Sequence, residues 1–373
     1  MGDWLERAAA LGPPIAKRSA EIEANRTLPR DIVDVLVASG LLKLFVPEGL
    51  GGAEVSPVEG LAVTEELAYH DGSTGWCQMI AMTTGLLGGY LPDEHAREIY
   101  APADAVTGGL AAPMGEARDA DGGGLVVNGR WAWGSGTRHC TWIGGGIRLP
   151  AGGTGFAFFD PAEVELLDTW RVAGLKGTGS TDYAVTDALV PEGRWVQIGA
   201  FVPTTDGPLY RFSFFGLLAV GVSSVAMGLA RRAVDELVDL AVVKSPQGSS
   251  RPLAERAPIQ ADVAAAEAIV RSARGFLDDV VGEAWDTVSA GDASTDEQRR
   301  SIRLAATHAT AESARAVDLM YTAGGGAAIY DDSALQRVFR DVHVATQHAI
   351  VAPRTRELVG RMRLGLDTHT GQL

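Results

Sequence analysis

Residues 104–207 have the pattern of β-strands, whereas the segments before and after them have the pattern of helices. Short runs such as TGFAFFD and DYAVTDALVP are rich in β-forming residues and are separated by Gly, Asp and Asn. In residues 1–103 the apolar positions recur at helical intervals, and residues 208–373 contain four long helical tracts. The order predicts an α+β protein with an N-terminal α-helical domain (1–103), a central antiparallel β domain (104–207) and a C-terminal four-helix bundle (208–373).

Composition restricts the function classes that are open to this chain. With 46% hydrophobic and 21% charged residues the chain is typical of a globular protein. Its formal net charge of −15 argues against a nucleic-acid partner, and no apolar run reaches the roughly 18 residues of a membrane span. The N-terminus lacks the pattern of a secretory signal. The two cysteines, Cys77 and Cys140, suit neither a disulfide framework nor a metal site, so we expect a cytoplasmic protein without a metal.

The stretch NGRWAWGSGTRHCTW, residues 128–142, is the first candidate site. On a regular strand Trp131, Trp133 and Ser135 would face the same side, because side chains alternate between the two faces. A planar heteroaromatic ligand could pack on such a ring while its polar edge meets the hydroxyl. The alternative is a tryptophan pair in the core of the β domain.

Two glycine-rich stretches offer further candidates. In TWRVAGLKGTGSTD a tight loop carries the hydroxyls of Thr178 and Ser180, and it is either part of a ligand site or a surface turn. It lacks the pattern of a phosphate-binding loop. In YTAGGGAAIYDD the glycines Gly324, Gly325 and Gly326 either end a helix or offer backbone amides to an anion such as a diphosphate.

The stretch RVFRDVHVATQHAIV, residues 337–351, is predicted to be one amphipathic helix. At about 100° per residue its two histidines lie roughly 140° apart. His343 would share a polar stripe with Arg340 and Gln347, and His348 would lie on a more apolar side. Most of the remaining histidines are expected to face solvent, and His139 is the one nearest a candidate site. They are His70, His95, His139, His308 and His369.

Several of these stretches, taken in order, resemble the acyl-CoA dehydrogenase superfamily over nearly the whole chain. They are VPEGLGG, EELAYHDGSTGW, NGRWAWGSG, GLKGTGS and GGGAAIYDDSALQRVFRD. Residues 111–142 and the ending LQRVFRDVHVATQHA are more similar to the group D flavin-dependent monooxygenases, which are the oxygenase components of two-component systems. The resemblance implies a flavin between the β domain and the bundle, in a homotetramer.

The resemblance also implies roles for individual residues. Trp133 and Ser135 fall where the family places an aromatic flank and a hydroxyl near the reactive edge of the flavin. The expected catalytic residues are His348 and Ser135. The expected cofactor-binding residues are Trp133, Ser135, Thr178, Ser180, Gly324, Gly325 and Gly326. Possible substrate contacts are Trp76, Met82 and His343.

The region of Ala349 separates dehydrogenases from oxygenases. Many acyl-CoA dehydrogenases carry a glutamate base in a pattern like RDxxxxxxxEGT, and setting Arg340-Asp341 against it puts Ala349 at the glutamate. Oxygenase relatives commonly have a histidine in this neighbourhood, which His348 matches. A histidine with a pKa near the operating pH could deprotonate a substrate or manage the proton of the flavin C4a-hydroperoxide, while Ser135 holds the flavin edge.

The leading hypothesis is therefore the oxygenase component of a two-component flavin-dependent monooxygenase. It would use reduced flavin (FADH2 or FMNH2) and O2 to oxidise a small aromatic, heteroaromatic or amine substrate, with a separate NAD(P)H-dependent flavin reductase as partner. A first alternative is an acyl-CoA dehydrogenase-like oxidoreductase that desaturates an acyl thioester with bound FAD. A second alternative is a non-catalytic binding subunit with a flavin-binding fold.

Overall fold

The N-terminal segment of the protein is helical, as predicted. The computed structural model describes residues 2–246, 248–368 and 371. The first helices are α1 (Gly2–Ala16), α2 (Ser19–Asn25), α3 (Arg30–Ala38), α4 (Pro57–His70), α5 (Gly72–Gly85) and α6 (Asp93–Tyr100). The predicted break between α4 and α5 lies at Asp71, whose carboxylate accepts the Thr74 N–H at 2.8 Å and caps α5. Every residue of α5 is buried, so this helix forms the centre of the segment.

The strands of the middle segment form one mixed sheet. They are β1 (Thr107–Asp119), β2 (Leu125–Gly134), β3 (Trp142–Arg148), β4 (Thr154–Phe159), β5 (Glu165–Leu167), β6 (Thr181–Val190) and β7 (Trp195–Ile198). Their spatial order is β5-β6-β2-β1-β3-β4-β7. The antiparallel pairing predicted for this domain is confirmed for the other strand pairs, whereas β1 and β3 pair in parallel. After β2 the chain crosses to the other side of β1 and starts β3 level with the start of β1, where Thr107 pairs with Trp142.

The C-terminal segment packs as a helical bundle. Its helices are α7 (Phe214–Val243), α8 (Ala257–Ser289), α9 (Asp296–Gly324), α10 (Ala334–Ala345) and α11 (Arg354–Arg363). The central helix α7 contacts α8, α9 and α10, and its other side packs on α4 and α5. By length and composition α7 could cross a membrane, yet 78% of its most apolar window is buried inside the protein. Burial of that extent is the pattern of a core helix.

The last predicted helix is interrupted, so the expectation of one helix through residues 337–351 is wrong. The helix α10 ends at Ala345, and the hydroxyl of Thr346 donates to the His343 carbonyl at 2.7 Å. His348 then caps a short 3-10 turn, Ala349–Val351, by accepting the Ile350 N–H. Because His348 is not on the helix, its position follows from this turn and not from helical rotation.

Candidate active site

A directional chain of hydrogen bonds joins residues from three separate segments. The indole Nε1 of Trp76 on α5 donates to Ser135 Oγ at 3.0 Å. Ser135 Oγ lies 2.7 Å from Ser180 Oγ, which lies 2.6 Å from Thr178 Oγ1. Thr178 Oγ1 in turn donates to the Leu175 carbonyl at 2.8 Å. We call Ser135, Ser180 and Thr178 the hydroxyl cluster, and all three are buried.

The carbonyl at one end of this chain fixes the direction of every proton in it, and the indole N–H at the other end is compatible with that direction. An indole N–H only donates and a carbonyl only accepts. Thr178 therefore gives its proton to the Leu175 carbonyl, Ser180 gives its proton to Thr178, and Ser135 gives its proton to Ser180. With its own proton donated to Ser180, Ser135 Oγ can only accept a hydrogen bond from a further partner.

His348 lies against the head of this chain. Its ring centroid is 5.8 Å from that of Trp76, and its Nδ1 accepts the Ile350 N–H at 3.2 Å. The hydrogen-bond pattern thus assigns the proton of the neutral ring to Nε2. Burial, and to a smaller extent the Arg303 guanidinium, lowers the pKa of His348 to about 4. The expectation of a pKa near the operating pH is therefore wrong, and His348 is a neutral donor at neutral pH.

Trp131 and Trp133 do not share a face, contrary to the prediction from strand alternation. Trp131 is fully buried, donates from Nε1 to the Gly146 carbonyl at 2.8 Å, and stacks on Tyr183. Trp133 is 63% exposed and has a φ of +60°. The pairing of β2 with β6 is irregular between Trp131 and Gly134, so the alternation of side chains is lost there. Trp131 is a core residue, and Trp133 offers a bare indole face two residues before Ser135.

Two predicted substrate contacts, Met82 and His343, pack against other parts of the protein. Met82 is fully buried and its sulfur accepts from Gln78 Nε2 at 3.6 Å, so the structure does not support a substrate contact for it. His343 is paired with Asp318 of α9 at 2.9 Å and is 41% exposed, so it lies on the outside of the bundle. The predicted contact of His343 with substrate is likewise not supported.

The three glycines end α9, the first of the two predicted alternatives, with Gly324 as its last residue. Gly325 has a φ of +54° at the cap, and both Gly325 and Gly326 are exposed with open space where a side chain would lie. The Gly325 N–H donates to the Thr322 carbonyl, and the structure does not bring these glycines into hydrogen-bond contact with the hydroxyl cluster.

The remaining histidines are less exposed than predicted. His70, His95, His139 and His308 are all half-buried, and His369 lies outside the described residues. The Nδ1 atom of His139 is buried with no hydrogen-bond partner among the described residues. Burial lowers the pKa of His139 to about 4, and Arg30 adds to this shift. His139 therefore remains neutral at physiological pH.

Two environments near the site were not identified from the sequence. Arg303 is 4% exposed and donates to the Ile350 carbonyl at 2.9 Å, next to His348; its position within the alanine-rich SIRLAATHAT was the available signal. A cavity of about 330 Å³ has the following lining residues: Asn25, Arg26, Thr27, Arg138, Asp168 and Trp170. The hydroxyl cluster does not line this cavity. Within the part of the chain that the structure describes, no group of His, Cys, Asp or Glu is placed to hold a metal ion.

Comparison with known proteins identifies the family. Residues 11–98 match the model of the acyl-CoA dehydrogenase N-terminal domain, and residues 220–353 match that of the C-terminal domain. An indole-3-acetate monooxygenase of Pseudomonas putida is 34% identical, over 95% of this chain and 92% of the relative. The flavin-dependent monooxygenase oxygenase subunit HsaA of Rhodococcus jostii is 28% identical, over 97% and 98%.

The solved structures agree with the sequence relatives. The crystal structure of 3-HSA hydroxylase from Rhodococcus sp. RHA1 is 26% identical and superimposes with a TM-score of 0.94, over 100% of this chain and 99% of that one. The HsaA monooxygenase of Mycobacterium tuberculosis, also 26% identical, superimposes with a TM-score of 0.92, over 100% and 99%. The chain belongs to the acyl-CoA dehydrogenase family and, within it, to the flavin-dependent monooxygenases that act as the oxygenase component of a two-component system.

Proposed function

We propose that this protein oxidises a small aromatic or heteroaromatic substrate with reduced flavin (FADH2 or FMNH2) and O2. A separate NAD(P)H-dependent reductase would supply the reduced flavin. The observation that carries the proposal is the directional hydrogen-bond chain from Trp76 to Leu175, with His348 beside its head. The indole substrate in the name of the Pseudomonas putida relative supports a planar aromatic molecule of similar size.

The residues around Ser135 fit a reduced flavin. The exposed Trp133 indole offers a flat apolar face for the ring system, and stacking of this kind favours planar aromatic ligands. Ser135 Oγ can accept the N–H that the reduced flavin carries on its reactive edge, whereas the oxidised flavin has a bare nitrogen there. When bound, the reduced flavin supplies two electrons to O2, so that one oxygen atom enters the substrate and the other leaves as water.

The protein contributes orientation, a dry environment and a fixed donor. The hydroxyl cluster and α5 are buried, so few water molecules compete for the polar edge of a ligand. His348 holds a proton on Nε2 and can donate it in a hydrogen bond to an oxygen of a ligand near Trp76. Ala349, at the position of the dehydrogenase base, is exposed and has no carboxylate, so the desaturation of an acyl thioester would lack a base at this position.

We also propose that copies of this chain assemble through an apolar surface at one end of the bundle. The end of α7 and the turn after α9 meet there, since Lys244 Nζ donates to the Gly324 carbonyl at 2.6 Å. The exposed apolar side chains of this surface are Val238, Val242, Val243, Ile329 and Tyr330. A homotetramer would cover them, and the exposed Gly325 and Gly326 would then lie beside a neighbouring subunit. The free thiols Cys77 and Cys140 support a reducing, cytoplasmic location.

Isotope labelling tests the proposed reaction. The protein is mixed with chemically reduced FMN or FADH2 in buffer equilibrated with ¹⁸O2, together with a panel of indoles and phenols. We expect a product that is heavier by one ¹⁸O atom for at least one member of the panel. Absence of label with every substrate and both flavins would refute an oxygenase, and bleaching of bound FAD by an acyl-CoA would favour a dehydrogenase.

The pair His348 and His343 provides a matched test of the donor. Replacing His348 with alanine should lower the yield of product per reduced flavin about 100-fold, the effect of removing one positioned donor, and the lost electrons should appear as hydrogen peroxide. His348→Gln, which keeps an N–H near the Nε2 position, should restore part of the yield. His343→Ala removes a contact with Asp318 and a ring contact with Phe339, both away from the hydroxyl cluster, and should leave the yield unchanged. Equal yields for the two alanine variants would contradict a role for His348.

A further inference from the structure

Arg340 and Asp341 of α10 hold a loop that carries two of the three residues of the hydroxyl cluster. We call residues 173–180 the 173–180 loop. Asp341 is 5% exposed, and its Oδ1 accepts the backbone N–H of Leu175 at 2.5 Å. Arg340 Nη1 donates to the Ala173 carbonyl at 2.6 Å. Two consecutive side chains of one helix thus bind the start of the loop at two backbone positions.

Leu175 has an unfavourable backbone conformation that its contacts must stabilise. Its φ of +49° lies in the left-handed region, which costs a residue with a side chain roughly 1 kcal/mol or more. Its carbonyl accepts from Thr178 Oγ1 at 2.8 Å and from Trp170 Nε1 at 3.3 Å. The loop also lies directly on α10, because a Cβ on Gly174 would be 2.3 Å from the Arg340 carbonyl oxygen. The conformation of Leu175 therefore sets where the hydroxyl of Thr178 points.

We propose that Asp341 is a positioning residue of the flavin site. By accepting the Leu175 N–H it keeps the Leu175 carbonyl in place as the terminal acceptor of the chain. That carbonyl fixes the proton of Thr178, and through Ser180 it fixes the proton of Ser135. The effect of Asp341 on flavin binding rests on the proposed function. The contact between Asp341 and the loop can be tested without flavin.

The charges around Asp341 decide how its carboxyl group stabilises the loop through the Leu175 N–H. Burial raises the pKa of Asp341 to about 7, the Leu175 N–H opposes the shift, and the nearby Asp71 carboxylate adds to it. Arg340, the cation next to it in sequence, also pairs with Glu23 of α2. Arg340 opposes the rise only through its charge while it pairs with Glu23, so the Leu175 N–H donates the hydrogen bond that joins Asp341 to the loop.

Hydrogen exchange measures the hold on the loop directly. In flavin-free protein at pH 8, where most of the Asp341 carboxyl group is ionised, we expect amide exchange in the 173–180 loop to rise at least tenfold in Asp341→Ala, since a hydrogen bond to a charged group is lost. In Asp341→Asn, which keeps a weaker neutral acceptor, it should rise about threefold. Asp318→Ala, which removes an exposed aspartate of α9, should leave the loop unchanged and is the matched control.

The affinity for reduced flavin measures the effect of Asp341 on the flavin site. Dithionite-reduced FMN, titrated anaerobically, should bind about tenfold more weakly to Asp341→Ala than to the wild type, with Asp341→Asn in between. If Asp341→Ala does not fold, Asp341→Asn carries both measurements. Loop exchange equal to that of the Asp318→Ala control would overturn the positioning role. A loosened loop with no flavin binding even in the wild type would instead refute the proposed function and leave the contact established.

Discussion

Replacing Trp76 with phenylalanine removes the N–H at the head of the hydrogen-bond chain while it keeps an aromatic ring beside His348. In the wild type, Ser135 Oγ accepts from Trp76 and donates to Ser180, so it can only accept from a flavin. Without the indole N–H, Ser135 Oγ can accept from Ser180 in its place. Ser180 then accepts in turn from Thr178, and the Thr178 proton leaves the Leu175 carbonyl. The Ser135 hydroxyl is then free to donate to the bare nitrogen of an oxidised flavin.

The size of this effect follows from one buried hydrogen bond. The contact of Trp76 Nε1 with Ser135 Oγ, 3.0 Å long and between neutral groups, has a net value of about 1 kcal/mol. In Trp76→Phe the preference for reduced over oxidised flavin should therefore fall about fivefold. The change should come mainly from tighter binding of oxidised FMN.

Equilibrium dialysis under anaerobic conditions measures both dissociation constants with the same flavin. Trp142→Phe is the control, because Trp142 packs on Arg194 at 5.0 Å and is not part of the hydrogen-bond chain. An unchanged ratio of the two constants in Trp76→Phe, or an equal change in the control, would refute the fixed proton direction.

Two further predictions concern the tryptophan pair and the assembly. Trp133→Ala should weaken flavin binding at least tenfold with little change in thermal stability, because its indole is mostly exposed. Trp131→Ala should instead lower the free energy of unfolding by about 3–5 kcal/mol, because Trp131 is fully buried. Thermal melts and flavin titrations of both variants check this, and the reverse pattern would contradict the assignment. Val243→Glu places a charge on the apolar surface and should reduce the oligomer measured by sedimentation velocity; a wild-type monomer at micromolar concentration would refute the assembly.

Much of the site was predictable because its residues lie in locally recognisable stretches. The segments around Ser135 and Thr178 stood out by their glycines, hydroxyls and aromatic residues, and their resemblance to one family supplied the link between them. The order of helices and strands followed from periodicity, which depends only on which residues must be buried. Trp76 was expected only as a substrate contact, since a tryptophan in an entirely buried helix looks the same as any core residue.

The predicted side-chain directions of Trp133 and His348 were wrong because of local backbone geometry. The alternation rule failed at Trp133 because a positive φ and an irregular strand pair turn its side chain away from the face that Trp131 occupies. Helical rotation failed at His348 because Thr346 bonds the His343 carbonyl and the helix ends three residues before His348. Both departures depend on contacts that no periodic pattern encodes.

The sequence by itself determined the class of the protein: the helix–strand–helix order, the absence of a carboxylate at Ala349 and the family of flavin-dependent oxygenases. The tertiary structure alone decided the chemistry of the site. It set the direction of the protons from Trp76 to Leu175 and lowered the pKa of His348 by burial. It also brought the carboxyl group of Asp341 into hydrogen-bond contact with the 173–180 loop. The physical reason is that proton direction and pKa depend on partners distant in sequence, which only the folded chain brings within hydrogen-bond distance.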